Sequence, residues 1–222
     1  MIKDMGEIFA EYWYNFLVEG VGTTLLLSLI TVVAGTLLGA LLAFGKMSKI
    51  KPLEWVITAF VEVIRGTPLL LQLFMGYFLV PMILPFLGMN SFGCCAVALI
   101  LNSGAYVSEI IRSGIEAVDK GQTEASRSLG LNSTTTMVKI VLPQAVKNIL
   151  PALCNEFITV IKETSLASTF FVGDLMTTYL TVKAVTYNPL PTLMIVGVIY
   201  FVLNFVLSRL LKIVERKMKA YA

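Results

Sequence analysis

The sequence of 222 residues contains no histidine and only three cysteines, and 14% of its residues are charged. Without histidine the chain lacks the commonest general base and the commonest transition-metal ligand, and Ser/His/Asp catalysis is excluded. Cys94, Cys95 and Cys154 lie in apolar runs without metal-ligand spacing, so we expect them to be buried as small hydrophobic residues. The sequence therefore predicts neither a catalytic site nor a metal site in this chain.

The sequence also lacks a glycine-rich loop of the form G-x-x-x-x-G-K-[ST], which binds nucleotide phosphates in many ATPases. We therefore expect that this chain is not an ATPase and that it binds no cofactor itself. If the protein uses ATP, the energy must come through a partner.

Apolar residues, by contrast, make up 57% of the chain, against roughly 45–50% in soluble domains. Residues 21–44 carry no charge, and a helix of 24 residues is about 36 Å long, enough to cross a hydrocarbon core of about 30 Å. Within this segment, Gly35 and Gly39 are spaced four apart, which favours the close approach of another helix.

A second uncharged segment covers residues 66–108 and is long enough for two spans. We predict an all-α polytopic membrane helix bundle with about five transmembrane helices, forming a single domain over residues 1–222. The predicted spans are residues 21–44, 66–85, 91–111, 144–163 and 188–208.

The basic residues indicate the orientation of these spans. Thirteen of the 17 lysines and arginines fall in residues 46–52, 112–147 and 209–219. Because cytoplasmic loops carry an excess of Lys and Arg, we predict that the N-terminus lies outside and the C-terminus in the cytoplasm. The central polar loop, residues 113–143, is then cytoplasmic, and the protein is a multi-pass protein of a bacterial-type cell membrane.

This central loop has the pattern of two short helices joined at a glycine. Gly130 can adopt the left-handed conformation that ends a helix, and Asn132 or Ser133 can cap the helix that follows. From the residues alone, the loop either docks on another protein or merely joins two spans. The first helix is predicted to end at Leu129 and to carry a mostly apolar stripe made of Ile115, Val118, Gln122, Ala125 and Leu129.

The same loop contains E-A-S, three residues, Gly, nine residues, Ile, one residue and Leu-Pro, and it resembles the EAA loop of ABC importer permeases. Ser126 departs from the family, which usually has Ala there. The stretches "RGTPLLLQLF", "AYVSEIIRSGIEAV" and "KETSLAS" resemble permeases of the polar amino-acid uptake branch. The resemblance implies that an ATPase is coupled through Glu124, Ala125, Ser126, Gly130, Leu142 and Pro143.

The resemblance further implies that the chain is a permease subunit of an ATP-driven amino-acid importer. The expected partners are a second permease subunit of the same or a similar chain, two ABC ATPase subunits that bind ATP and Mg²⁺, an extracytoplasmic substrate-binding protein, membrane lipid and no nucleic acid. Two alternatives remain open: an ABC permease for another small solute, and an ATP-independent secondary transporter. A membrane-embedded enzyme is disfavoured because the sequence shows no histidine and no paired carboxylates on one membrane face; Asp174 and Glu109 are the nearest candidates for such a pair.

Glu109 is the leading candidate for contact with an amino-acid substrate. It lies near the end of the predicted third span, where an ionisable residue is costly unless it is paired or hydrated. Its carboxylate could receive the substrate ammonium group, or it could pair with Arg112 and serve only the fold.

Six further residues could contact the substrate or line its path. Gln72 can donate and accept hydrogen bonds within an uncharged span, and Tyr106 is on the same helical face as the leading candidate. Thr164 and Ser165 could interrupt a helix through side-chain to backbone hydrogen bonds. Asn155 and Glu156 are polar members of the fourth span. For Gln72, Asn155 and Glu156 a hydrogen bond to a neighbouring helix is an equal alternative, and Tyr106 could simply be packed.

Overall fold

The structure is a computed structural model that describes residues 2–48 and 50–220; Met1, Lys49, Tyr221 and Ala222 lie outside the described residues. The described residues contain ten α-helices and no strand. The helices are α1 (Ile2–Tyr14), α2 (Val21–Lys46), α3 (Lys51–Gly66), α4 (Leu69–Ile83), α5 (Ser91–Glu116), α6 (Lys120–Ser128), α7 (Ser133–Thr136), α8 (Leu142–Glu163), α9 (Leu175–Thr186) and α10 (Pro189–Ala220).

The first predicted span lies inside a longer helical unit. A π-helix at Asn15–Gly20 connects α1 to α2 without a loop, so that Lys3–Lys46 forms a continuous 44-residue segment. At 1.5 Å per residue this segment is about 66 Å long, roughly twice what a hydrocarbon core requires. Non-helical dihedral angles at Tyr12 mark a kink in α1.

The predicted span at residues 66–85 is wrong in its boundaries. Gly66 is the last residue of α3, and α4 runs only from Leu69 to Ile83. The residue before a proline avoids the helical region, and Thr67, which precedes Pro68, is extended. As a result α3 and α4 meet at a bend of 113°.

Taken by length and composition, four helical segments of the described residues can cross a membrane, or five if the bent α3–α4 pair is one span. The prediction of about five spans is therefore confirmed. The four segments that can cross a membrane without the bent pair are Lys3–Lys46, Ser91–Glu116, Ser133–Phe170 and Pro189–Ile213.

Helix α5 lies at the centre of the bundle and contacts α2, α3, α4 and α8. Its closest neighbour is α2, at the predicted glycine pair. A Cβ added to Gly39 would come within 2.7 Å of Val107, and one added to Gly35 within 3.0 Å of Ser103. These glycines therefore permit the close approach that their spacing predicted.

The second half of the chain completes the bundle. The fourth predicted span lies within Ser133–Phe170, where α8 continues into a 3₁₀-helix at Thr164–Phe170. The short helix α9 follows, and the fifth predicted span begins one residue before α10 and otherwise lies within it. Helix α10 packs against α1 through an apolar cluster that includes Ile8 and Ile195, so that the first and last helices are neighbours.

Candidate functional site

The central loop begins with a helix break that the sequence analysis did not place. Asp119 caps α6 by accepting a hydrogen bond from the backbone N–H of Gly121 at 2.6 Å. The prediction of one apolar stripe on one helix is therefore wrong. Ile115 in the last turn of α5 and Val118 just after this helix are buried, whereas Leu129, beyond the break, is 83% exposed.

The end of α6 is formed as the sequence predicts. Gly130 has φ of +83°, a left-handed conformation that residues other than glycine rarely adopt. The N–H of Leu131 donates to the carbonyl of Ser126 at 3.1 Å, and the N–H of Gly130 donates to the carbonyl of Arg127 at 3.0 Å. This pair of bonds is the Schellman motif, and it satisfies the carbonyl groups at the helix end.

Helix α7 starts with the predicted cap, because the side chain of Asn132 accepts a hydrogen bond from the N–H of Thr135 at 2.8 Å. The two arms of the loop are joined by a hydrogen bond between the buried hydroxyls of Ser126 and Thr136, at 3.2 Å. We name the segment from Lys120 to Val141 the elbow. Ser126, where the resembling family usually has Ala, thus holds the elbow together.

The elbow is further closed by Arg127, whose guanidinium donates to the carbonyl of Leu131 and the hydroxyl of Ser133, each at 3.2 Å. Glu124 and Ala125 lie on its exposed surface. Helix α7 passes through a π-helix into α8, which begins at Leu142 and Pro143, so no loop separates the elbow from the membrane-spanning helix. A displacement of the elbow can therefore be transmitted along a continuous helix.

Glu109 is the centre of a cluster of charges. Its carboxylate lies 2.8 Å from Lys46 Nζ, 2.9 Å from Arg112 Nη2 and 3.7 Å from Arg65 Nη1. The side chain is only 17% exposed. Arg112 also pairs with Glu116 on its other edge. Three cations of the chain itself therefore surround the carboxylate that was predicted to receive a substrate ammonium group.

These charges connect the ends of α2 and α3 to α5, because Lys46 ends α2, Arg65 is in the last turn of α3, and Glu109 is on α5. Tyr106 belongs to the same cluster. The Arg65 guanidinium lies over its ring, and the guanidinium carbon is 5.5 Å from the ring centroid. The arrangement matches the alternative in which Glu109 serves the fold, and no observation tests a contact of Glu109 or Tyr106 with substrate.

Gln72 is buried at the bend between α3 and α4. Its amide N–H groups donate to the carbonyls of Ile64 at 2.6 Å and Thr67 at 3.1 Å, and its oxygen accepts from Asn102 of α5 at 2.9 Å. These bonds satisfy carbonyl groups that the bend leaves without helical partners. Gln72 therefore fixes the bend against α5, and its proposed contact with substrate stays a prediction.

Thr164 and Ser165 make the predicted side-chain to backbone hydrogen bonds. Their hydroxyls donate to the carbonyls of Ile161 at 2.8 Å and Lys162 at 2.6 Å, where α8 gives way to the 3₁₀-helix. Asn155 is exposed and lines a recess between α8 and α10.

Helix α8 carries two partly buried carboxylates, of which the sequence analysis singled out only Glu156. Glu156 is partly buried and accepts a hydrogen bond from Ser103 of α5 at 3.1 Å. Glu163, also partly buried, follows seven residues later, so it lies on the same face of the helix about 10 Å along its axis. The hydrogen bond from Ser103 is the helix-to-helix alternative considered for Glu156, and the spacing of seven within one predicted span is the signal that could have identified Glu163.

Asp174 does not pair with Glu109. It is fully buried and caps α9, where it accepts hydrogen bonds from the N–H groups of Met176 and Thr177. Burial raises the pKa of its carboxyl above the usual value, against the opposing effect of the Thr177 hydroxyl and these N–H groups. The adjacent N–H of Leu175 donates to Thr24 at 3.0 Å.

Thr24 is near the start of α2, whereas Lys46, the partner of Glu109, is at its end, about 33 Å away along the helix. The two carboxylates therefore cannot act on one substrate as the pair that a membrane enzyme would need. Among the described residues, no group of three His, Cys, Asp or Glu side chains could hold a metal ion.

Comparisons with known proteins give relatives along nearly the whole chain. An arginine transport system permease protein of Bacillus subtilis is 44% identical over 205 residues, which are 92% of this chain and 93% of the relative. A putative glutamine transport system permease protein of Rickettsia conorii is 43% identical over 203 residues, 91% and 93% of the two chains.

A similar solved structure is described as an amino acid ABC transporter with histidines. It is 43% identical, has a TM-score of 0.87, and the match covers 94% of this chain and 96% of that one. The profile of the family described as the binding-protein-dependent transport system inner membrane component matches residues 35–220. The chain therefore belongs to this family of binding-protein-dependent transport system inner membrane components.

Proposed function

We propose that this chain is the permease subunit of an ATP-driven importer of polar amino acids. Family membership makes it a multi-pass transport component of a bacterial plasma membrane, with ATP hydrolysis in a separate subunit. The observation that carries the proposal further is the elbow, which presents exposed Glu124, Ala125 and Leu129 and continues without a loop into α8. The names of the arginine and glutamine permeases support an amino acid as the transported solute.

The proposal places the N-terminus outside and the elbow and C-terminus in the cytoplasm, since most basic residues then lie inside. Two ATPase subunits, each binding ATP and Mg²⁺, dock on the elbows of two permease subunits. An extracytoplasmic binding protein delivers the amino acid. The coupling residues are Glu124, Ala125 and Ser126 on the first arm, Gly130 at the turn, and Leu142 with Pro143 where α8 begins.

Transport requires that movement of the ATPases reaches the membrane-spanning helices. In the proposed mechanism, closure of the two ATPases shifts the elbows. The shift then passes along α8 to the 3₁₀-helix that starts at Thr164. The helix is easiest to reshape there, because 3₁₀ bonds are weaker than α-helical bonds. Alternating access follows if this end of α8 opens and closes the path.

The polar face of α8 is the proposed path for the amino acid. Glu156 and Glu163 supply carboxylates for the ammonium group or a basic side chain, and Ser103 orients the first of them. Thr164 and Ser165 lie where backbone groups can meet the substrate carboxylate. Glu109 acts in this proposal as the tie between α2, α3 and α5, with Gln72 holding the bend.

The test is ATP hydrolysis by the reconstituted complex with its ATPase and binding protein, across the twenty amino acids and cystine. Selective stimulation by one or a few amino acids is expected. Stimulation by none of them, with the ATPase still bound, would favour a permease for another small solute. Uptake that proceeds equally without ATP would instead favour a secondary transporter.

A further inference from the structure

A polar recess lies between α8 and α10, away from the proposed amino-acid path. Its volume is about 340 Å³, within the range of small-molecule sites. Asn155 contributes from α8, and Ser208 and Lys212 contribute from α10. Asn155 precedes Glu156 and is therefore rotated about 100° from it around the helix axis. The recess and the path thus use different sides of α8.

An exposed apolar track runs along α10 towards this recess. Met194, Phe201, Phe205 and Lys212 are spaced by seven, four and seven residues, which places them on one face of the helix. The rings of Phe201 and Phe205 stack at 6.1 Å, and Phe201 is 69% exposed. From Phe201 to Lys212 the track is about 16 Å long, which is comparable with half of a bilayer's hydrocarbon core.

Basic groups stand at the base of the track. Lys212 lines the recess four residues beyond Ser208, where the uncharged predicted span 188–208 ends, so it is placed at the level of the membrane interface. Arg209 lies one turn before it, with its guanidinium 5.1 Å from the centroid of the Phe205 ring. Basic pockets between membrane helices at this level suit the phosphate groups of anionic lipids.

We propose that the recess binds the phosphate headgroup of an anionic phospholipid, with Lys212 as its cation and Asn155 and Ser208 as hydrogen-bonding partners. One acyl chain of the lipid lies along Phe205 and Phe201. The transported amino acid fits this place less well, because its ammonium group would face Lys212 and the track offers it only apolar contacts. Free phosphate shares the headgroup chemistry but gains nothing from the track.

The proposal is tested by native mass spectrometry of the assembled transporter with phosphatidylglycerol and phosphatidylcholine that carry identical acyl chains. A basic residue near a membrane surface contributes about 1 kcal/mol to anionic lipid binding, which corresponds to about a fivefold preference. We expect the wild type to retain phosphatidylglycerol about fivefold better. Lys212→Gln should abolish this preference and Lys212→Arg should keep it. Lys183→Gln, on α9, is the matched control and should leave it unchanged.

Two further measurements distinguish a bound lipid from bound free phosphate. Phe201→Ser should lower retention of phosphatidylglycerol severalfold, and millimolar inorganic phosphate should not displace the lipid. Displacement by phosphate together with no effect of Phe201→Ser would assign the recess to the free anion and overturn the proposal. Equal retention of both lipids by the wild type would overturn it as well. Retention of neither lipid would indicate that another subunit covers the recess. This result would also overturn the proposal.

Discussion

Replacing Glu109 with glutamine removes the charge that ties three helices together and keeps the shape of the side chain. The carboxylate has two close cationic partners, Lys46 at 2.8 Å and Arg112 at 2.9 Å, and a third, Arg65, at 3.7 Å. Hydrogen bonds to charged groups contribute about 1.5–3 kcal/mol each, and the remaining exposure of the site favours the lower figure. We therefore expect Glu109→Gln to destabilise the protein by about 3 kcal/mol.

The assay is irreversible thermal inactivation of the purified complex, because the stability of a large membrane assembly is a rate and not an equilibrium. If the whole loss appears in the unfolding rate, 3 kcal/mol shortens the half-life at a fixed temperature about 100-fold. The KM for the transported amino acid should stay within about twofold of the wild type, because in our proposal Glu109 does not contact the substrate.

Glu116→Gln is the matched control. Glu116 pairs with the same Arg112, but its side chain is 58% exposed, and such surface pairs contribute about 0–1 kcal/mol. We expect less than a fivefold change in half-life for this variant. The reasoning is refuted if Glu109→Gln keeps the wild-type half-life and raises the KM tenfold or more, since the carboxylate would then serve the substrate.

Three further predictions concern the elbow, the path and the buried cap. Gly130→Val should abolish coupling of ATP hydrolysis to uptake, whereas Gly130→Asn should keep most of it, because asparagine tolerates the left-handed conformation and valine does not; equal coupling in both variants would contradict the role of the turn. Glu156→Gln should raise the KM about tenfold at unchanged thermal stability, measured by uptake into proteoliposomes, since one charge-assisted contact of about 1.4 kcal/mol is lost. Asp174→Ala should destabilise by about 2 kcal/mol and Asp174→Asn by less than half of that, measured as inactivation half-life, because only alanine leaves the N–H groups of α9 without an acceptor.

The features that depend on neighbouring residues in the sequence were predictable. The uncharged run at residues 21–44 identified α2, and Gly130 and Asn132 adopt the cap conformations expected of their residue types. The break at Thr67 was equally accessible, because a proline follows it, but the uncharged composition of residues 66–85 concealed it. Local backbone rules therefore have to be applied inside apolar segments as strictly as outside them.

The features that depend on packing were not predictable in the same way. Glu109 was singled out because it is ionisable within a span, but its partner Lys46 is 63 residues away in the chain. Only the close approach of α2 and α5 at Gly39 brings the two together. The hydrogen bond from Ser103 to Glu156 likewise crosses between α5 and α8. A single sequence indicates which residues are costly to bury, and the packing of the helices decides which partner compensates the cost.

The contact between α1 and α10 has a consequence for the biogenesis of the protein. Phe16, beside α1, is completely buried in a cluster that includes Val196 of α10. A ribosome reaches Val196 about 180 residues after Phe16, on the order of 10 to 40 s later at about 5–20 residues per second. Throughout this interval the side of the cluster that α10 covers lacks its protein partner, although α9 is synthesised earlier and covers another part of it. A chain released before Pro189 lacks α10 and cannot complete this cluster. Translation of the last helix is therefore the step that completes the packing of the bundle.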